Sequence, residues 1–424
     1  MKTKGNSKLK EKKILVIATG SIAVVKIPLL ISNLIKAGAK VKCVVTSSAS
    51  RLVSPLSLST LSRNRCYQDE DQWNPKEPKP LHIELSEWPD LIVVAPLSAS
   101  SLSRWVHGNG EGLAASILLA SEKPVIAAAA MNTSMWENQM VERNWNYLKN
   151  VPNIITLEPS EGLLACDRIG DGRMASPDLI QLAIESASIQ RKHNLLLKKD
   201  WENIHLLVTA GPTIEDIDSA RYFSNRSSGK MGVLLCQAAR FRGAKVTLVH
   251  GPMQIESSIL EGINTYQTRN AADMQNILTK LQPSADLIIM SAAVSDIRLK
   301  GDFQKFKISK KDLLESFHEK LELVPDLLKE LVRNRKGSQI IVGFTALTGN
   351  DEDIQKHALI KKDIKGCDLL IANPIDRIDQ GFESDFNEGW LLGPKDQIQR
   401  LSLDCKLSFA HQLLDIFQKL FVVK

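Results

Sequence analysis

Short apolar runs separated by helical patterns recur along the chain, and their rhythm predicts its architecture. Residues 14–18 are wholly apolar and read as a strand, while residues 26–37 carry apolar positions at helical spacing until Gly38 stops the helix. Further strands are expected at 41–45, 91–95 and 125–128, with helical stretches near 113–121 and 136–149. Residues 187–200 are polar and basic and read as a connector holding the end of a helix. The rhythm then restarts, with strands at 205–209, 245–249, 287–290, 339–344 and 368–372 and helices at 229–242, 271–281 and 407–421. Strand–helix–strand alternation predicts parallel sheets covered on both faces. The expected class is α/β, with two doubly wound parallel-sheet domains at 14–190 and 191–424, preceded by a basic flexible tail at 1–13.

Composition narrows the function. The chain has 424 residues, enough for two or three domains, and its 43% hydrophobic content argues against disorder as the main state. The net charge is +6, but the first 13 residues hold six lysines against Glu11, a sum of +5, so the body carries about +1. With aromatics at only 5%, a basic stacking surface for nucleic acid is not expected. No run of about 18 apolar residues marks a membrane span. The stretch at 14–25 imitates a signal peptide, but Thr19, Gly20 and Ser21 break it, and Lys26 and Pro28 stand where a cleavage site belongs. The six cysteines form no C-x-x-C pair, which points to a reducing compartment, the cytoplasm.

Ligands of open parallel sheets sit beyond the carboxyl ends of the strands, and the unusual residue clusters fall there. Gly20, Ser21 and Ile22 turn the first strand into a helix without forming G-x-G-x-x-G. Thr46, Ser48 and Ser98 add hydroxyls at the same edge. Such loops suit a mononucleotide cofactor, although a plain strand-to-helix turn explains Gly20–Ile22 equally well. His82 is a lone histidine and Asn132 lies between methionines; each has a structural explanation as well as a functional one. Residues 162–174 are glycine-rich, contain Cys166 and Met174, and read as a flap or a surface loop.

Taken together, H-I-x-L at His82, M-N-x-x-M-W at Asn132, and L-A-C followed by G-x-G-R-M resemble the flavin-dependent cysteine decarboxylase family, specifically the phosphopantothenoylcysteine decarboxylase half of bifunctional coenzyme A biosynthesis proteins. The resemblance covers about residues 13–185. It implies a flavodoxin-like flavoprotein domain binding FMN through Gly20, Ser21, Ile22, Thr46, Ser48 and Ser98. His82 would act as base, Asn132 would hold the substrate carboxylate, Cys166 would supply a proton, and Met174 would cover the substrate. The chain departs from the family pattern at Val24, Val25, Ser100, Glu111, Gly112 and Ala129, which bear on flavin and carboxylate surroundings.

Residues 208–232 are dense in small and polar residues, with Asn225 and Lys230 in a loop that opens a helix. A P-loop is excluded, because Ser224 stands where its first glycine belongs and Met231 where its magnesium-binding hydroxyl belongs. The run resembles the phosphopantothenate–cysteine ligase half of the same bifunctional family. So do Ala292 to Asp296, Lys305 to Lys307, Gly343-Phe344, the set Lys361, Lys365, Asp368 and Asn373, and the loop with Phe382, Asp385 and Asn387. The resemblance implies a Rossmann-like ligase domain that uses CTP with Mg2+. Asn225 would bond the acyl-cytidylate. Ala292, Lys305, Lys307, Phe344, Lys361 and Lys365 would hold the nucleotide, and Asp296 would face the metal. It also implies a homo-oligomer with FMN near subunit contacts, working on small molecules without nucleic acid or membrane partners. The altered flavin surroundings leave open a ligase whose first half is a degenerate scaffold.

Overall fold

The computed structural model describes residues 8–75, 79–163, 169–190, 197–301 and 306–422. The chain divides into two compact units, residues 1–199 and 200–424.

The first unit is built on six parallel strands: β1 (Lys13–Ala18), β2 (Lys40–Val45), β3 (Cys66–Tyr67), β4 (Leu91–Leu97), β5 (Val125–Ala129) and β6 (Ile154–Leu157). They lie in the order β3-β2-β1-β4-β5-β6. Without the two-residue β3, this is the 2-1-3-4-5 order of a flavodoxin-like sheet. Ile14 pairs with both Val41 and Leu91, and this register sets the ends of β1 and β4 side by side. All seven residues of β4 and all five of β5 are buried, as expected of strands covered on two faces.

The helices of this unit are α1 (Ile27–Lys36), α2 (Ser47–Ser50), α3 (Pro55–Ser62), α4 (Leu81–Glu87) and α5 (Ala99–Val106), followed by α6 (Leu113–Ala120), α7 (Thr133–Trp136), α8 (Gln139–Asn150) and α9 (Pro177–Gln190). Pro28 sits in the first turn of α1, where its missing N–H costs nothing. One face of the sheet packs Leu15, Ile17, Ile92 and Val94 against Leu85 of α4, Leu102 of α5, Ile117 of α6 and Trp145 of α8. A hairpin, β7 (Ser160–Leu163) and β8 (Ile169–Arg173), stands beside α7. Helix α9 runs to Gln190, into the expected connector.

The second unit holds β9 (His205–Ala210), the hairpin β10 (Ile214–Asp218) and β11 (Arg221–Ser224), and helix α10 (Lys230–Phe241). Then come β12 (Lys245–His250), β13 (Asn264–Gln267), α11 (Ala271–Leu281), β14 (Leu287–Met290), β15 (Ile297–Leu299), α12 (Lys310–Lys320) and β16 (Leu321–Leu323). The remainder is α13 (Leu327–Arg333), β17 (Ile340–Leu347), α14 (Asp351–Lys365), β18 (Leu369–Pro374), β19 (Phe386–Leu392), β20 (Ile398–Cys405) and α15 (Lys406–Val422). The large sheet has the order β13-β12-β9-β14-β17-β18-β19-β20. It is parallel through β18 and ends in two antiparallel strands that the apolar rhythm did not predict. Only Leu401 of β20 is fully buried, so this edge strand lacks the apolar run that marked the central strands. Arg242, 1% exposed, bonds Asp200 at 2.5 Å and Asp415 at 2.8 Å, joining the start of the unit to α15. Among the described residues, no helix is long and apolar enough to cross a membrane.

Candidate functional sites at two sheet edges

The same device builds the edge of both sheets. Thr19, at the end of β1, is 1% exposed. Its Oγ1 donates to Pro96 O at 2.7 Å and accepts from Ser98 N at 2.9 Å, binding the β1 turn to the loop after β4. In the second unit, Thr209 at the end of β9 accepts from Ala292 N at 3.0 Å, binding it to the loop after β14. A strand-end hydroxyl thus fixes each crevice at the point where the chain changes direction across the sheet.

In the first unit this edge opens into a cavity of about 570 Å3. Thr46, Ser47 and Ser48 line one side, and Ser101, Arg104 and Trp105 of α5 another; Asp69, Trp73 and Glu111 complete much of the wall. Thr46 caps α2 and Ser98 caps α5, each accepting a backbone N–H, and Ser21 caps the short helical turn after β1. Gly20 is required by close approach, because a Cβ there would lie 2.6 Å from the Ser48 Cβ. Thus Thr46 and Ser48 reach the cavity wall, while Gly20, Ser21, Ile22 and Ser98 shape the turns behind it. Asp69 accepts from Ser47 Oγ at 2.8 Å and from Leu113 N at 2.9 Å, which ties the wall together. Asp69, Trp73, Arg104 and Trp105 were not expected from sequence, since no local pattern distinguishes them.

His82 is half-buried on α4 and outside this cavity wall. Asn132 caps α7, its Oδ1 accepting from Ser134 N at 2.9 Å. Met131 N donates to Gly172 O at 3.2 Å, so the Asn132 loop is held to β8. Met174, just past β8, is 1% exposed and packed within the unit. Cys166 lies outside the described residues. Burial pushes the thiols of Cys43, Cys66, Cys236 and Cys367 up, Cys66 to about 12, so these four are poor nucleophiles.

In the second unit the edge opens into a cleft of about 730 Å3. It gathers Asn225, Lys230, Ala292, Asp296, Phe344, Lys361 and Lys365 on one surface. Asn225 Nδ2 donates to Ala293 O at 3.2 Å and Val294 O at 2.9 Å, so this exposed residue is coupled to the loop after β14. Lys361 bonds Thr345 Oγ1 at 3.1 Å and Lys365 bonds Asp326 Oδ2 at 2.5 Å. Lys230 pairs with Asp385. Lys307 is exposed and not part of the cleft wall, and Lys305 lies outside the described residues. Asp296 is an exposed carboxylate of the wall, while Asp326, also on the wall, is half-buried and paired with Lys365. Among the described residues, no three His, Cys, Asp or Glu side chains group as a metal site.

Gly251 permits the turn at 210–213 to pass close by, since a Cβ there would lie 1.6 Å from Pro212 O. Sequence reasoning missed Lys406, the first residue of α15. It is 4% exposed, lines the cleft and donates to Gly381 O at 3.0 Å. Burial, with Lys230 nearby, pushes its ammonium down to about 8 against the pull of Asp385.

Comparison with known proteins covers both units. A family model described as "Flavoprotein" matches residues 2–188, and one described as "DNA/pantothenate metabolism flavoprotein C-terminal domain" matches residues 201–420. The Coenzyme A biosynthesis bifunctional protein CoaBC of Bacillus subtilis is 35% identical over 409 residues, covering 96% of each chain. The protein of the same name from Borreliella burgdorferi is 33% identical over 408 residues, covering 96% of this chain and 99% of that one. Among solved structures, the FMN binding protein AtHal3 is 36% identical and covers 41% of this chain and 95% of that chain, with a TM-score of 0.38.

Proposed function

This chain belongs to the family of coenzyme A biosynthesis bifunctional proteins, and from that premise we propose that it converts 4′-phosphopantothenate to 4′-phosphopantetheine in two steps. The second unit joins phosphopantothenate to cysteine with CTP. The first unit decarboxylates the product with FMN. A single observation carries the ligase reading: six residues expected from separate stretches of sequence (Asn225, Ala292, Asp296, Phe344, Lys361 and Lys365) line one cleft. The likeness of the whole chain to bifunctional relatives does not favour the reading in which the first half is a scaffold alone.

In ligation the substrate carboxylate attacks the α-phosphorus of CTP, and pyrophosphate leaves. The cysteine nitrogen then bonds the acyl carbon, the acyl–oxygen bond breaks, CMP departs, and the nitrogen loses its protons to solvent. Each step moves negative charge among crowded phosphates, so fixed cations lower the barrier. Lys361 and Lys365 are held on the wall by Thr345 and Asp326 and supply such charge. Asp296, on the same wall, would face a nucleotide-bound Mg2+.

The first-unit cavity fits FMN. Its volume lies in the range of small-molecule sites, Arg104 offers a cation for a phosphate, and Thr46 and Ser48 offer hydroxyls. Trp73 and Trp105 provide apolar surface for a flat ring. When bound, the flavin supplies reversible removal of two electrons from the substrate, which permits loss of the carboxyl group. In the resemblance, His82 takes the proton, Asn132 orients the carboxylate by its amide, and Cys166 returns a proton. We place the enzyme in the cytoplasm as a homo-oligomer that acts on small molecules.

The test is incubation with phosphopantothenate, cysteine, CTP and Mg2+, with mass detection and a flavin absorbance scan. Phosphopantothenoylcysteine followed by phosphopantetheine is expected. Absence of both products, with no flavin band, would overturn the assignment.

A further inference from the structure

The strongest unused feature is a mismatch of hydrogen-bonding capacity on the floor of the second-unit cleft. Asn387 and Lys406 both line the cleft and are 5% and 4% exposed. Asn387 Oδ1 has no hydrogen-bond partner among the described residues. Its Nδ2 reaches Met231 Sδ at 4.0 Å, a weak contact. Lys406 has three N–H donors, and the structure gives one of them an acceptor, Gly381 O. A buried acceptor therefore needs a donor, and Lys406, near the Asp385 carboxylate that already pairs with Lys230, keeps N–H donors for a further acceptor.

The sheet register sets these two side chains next to each other. Phe386 pairs with Cys405 and Asn387 with Asp404 across β19 and β20. Lys406 N donates to Asp385 O at 2.9 Å, extending the ladder by one step. Opposed residues share a face, so Asn387 and Lys406 are diagonal neighbours on one face, typically about 7–8 Å apart. A phosphate would satisfy Lys406 but offer Asn387 Oδ1 only another acceptor. An α-amino acid offers both groups, a carboxylate and an adjacent amine.

We propose that Lys406 and Asn387 form the subsite for the incoming cysteine, with its carboxylate on Lys406 Nζ and its amine donating to Asn387 Oδ1. This rests on the ligase reading. It assigns Lys361 and Lys365, on a different element, to the nucleotide. It also makes the subsite selective for amines that carry a neighbouring carboxylate.

The probe is cysteamine, which has the amine and thiol of cysteine but no carboxylate. The wild-type chain is expected to prefer cysteine by roughly 100-fold in kcat/KM, the scale of one hydrogen bond between charged groups. Lys406→Met should bring that preference to within about threefold of unity and should cut cysteine use at least tenfold more than it cuts pyrophosphate exchange with phosphopantothenate and CTP alone. Because the preference is a ratio, a partly misfolded preparation still reports it. Asn387→Ala should reduce the use of both amines by a similar factor and leave the ratio intact. Three results would overturn the subsite: no preference in the wild type, an unchanged preference in Lys406→Met, or pyrophosphate exchange falling as far as cysteine use. A wild-type chain that forms no adduct at all would instead refute the ligase reading.

Discussion

Replacing Thr19 by valine removes one hydroxyl and almost no volume. Its Oγ1 serves two backbone groups at once, donating to Pro96 O and accepting from Ser98 N. Pro96 O keeps a bond from Thr19 N at 3.2 Å, so the carbonyl is only weakened. Ser98 N loses its acceptor at a position where Ser98 is 8% exposed and water has little access. An orphaned buried N–H costs about 1–3 kcal/mol, and the weakened carbonyl adds a fraction, so the expected loss is about 2–3 kcal/mol. The damage falls on the cap of α5, which carries Arg104 and Trp105 into the cavity. If flavin binding must restore that order, affinity falls by roughly tenfold for each 1.4 kcal/mol of ordering required. Urea titration followed by flavin fluorescence on release, with circular dichroism in parallel, measures both effects. Thr19→Ser keeps the hydroxyl and should stay within about 1 kcal/mol of wild type. A Thr19→Val midpoint equal to that of wild type, at equal slope, would refute the reasoning.

Other outcomes follow from the second unit. Asn225→Asp replaces two amide donors with a carboxylate facing Ala293 O and Val294 O; adduct formation should fall about 10–100-fold with the flavin spectrum unchanged, and unaltered ligation kinetics would count against the site. Gly251→Ala places a methyl on Pro212 O and should abolish ligation and lower the unfolding midpoint of this unit, with overpacking costing about 1–3 kcal/mol or more. For Lys406, the folded value of about 8 lies below the ordinary 10.5, so between those values the unfolded chain binds more protons and stability rises with pH. The gain across that window is up to about 3 kcal/mol, and it should vanish in Lys406→Met when urea midpoints are compared from pH 7.5 to 10.

Most of the parallel strands were legible because burial on two faces demands unbroken apolar runs, as in β1 and β4; β3, β6 and β13 were not expected, β3 having two residues and β13 being exposed throughout. Strands β19 and β20 were not, because polar residues interrupt them and β20 is exposed along most of its length. Helix α14 escaped for a similar reason: only Ile354 and Ala358 are buried, so no apolar stripe announces it. The candidate sites divide in the same way. Thr46 and Ser48 follow an obvious strand, and Lys361 and Lys365 follow a motif. Arg104 and Lys406 owe their positions to packing between segments distant in sequence, and neither differs locally from a surface cation. Lys406 becomes a buried group only once β19 and β20 have paired.

The anchoring of Asn225 has a directional consequence. With its nitrogen committed to two carbonyls, what the side chain turns toward an arriving molecule is oxygen lone pairs. A guest must bring hydrogens to that spot, so a hydroxyl or amide N–H is welcomed and a bare anionic oxygen is repelled. In the proposed ligase site the residue would therefore act as a keyway, favouring one orientation of the reactant over the reverse.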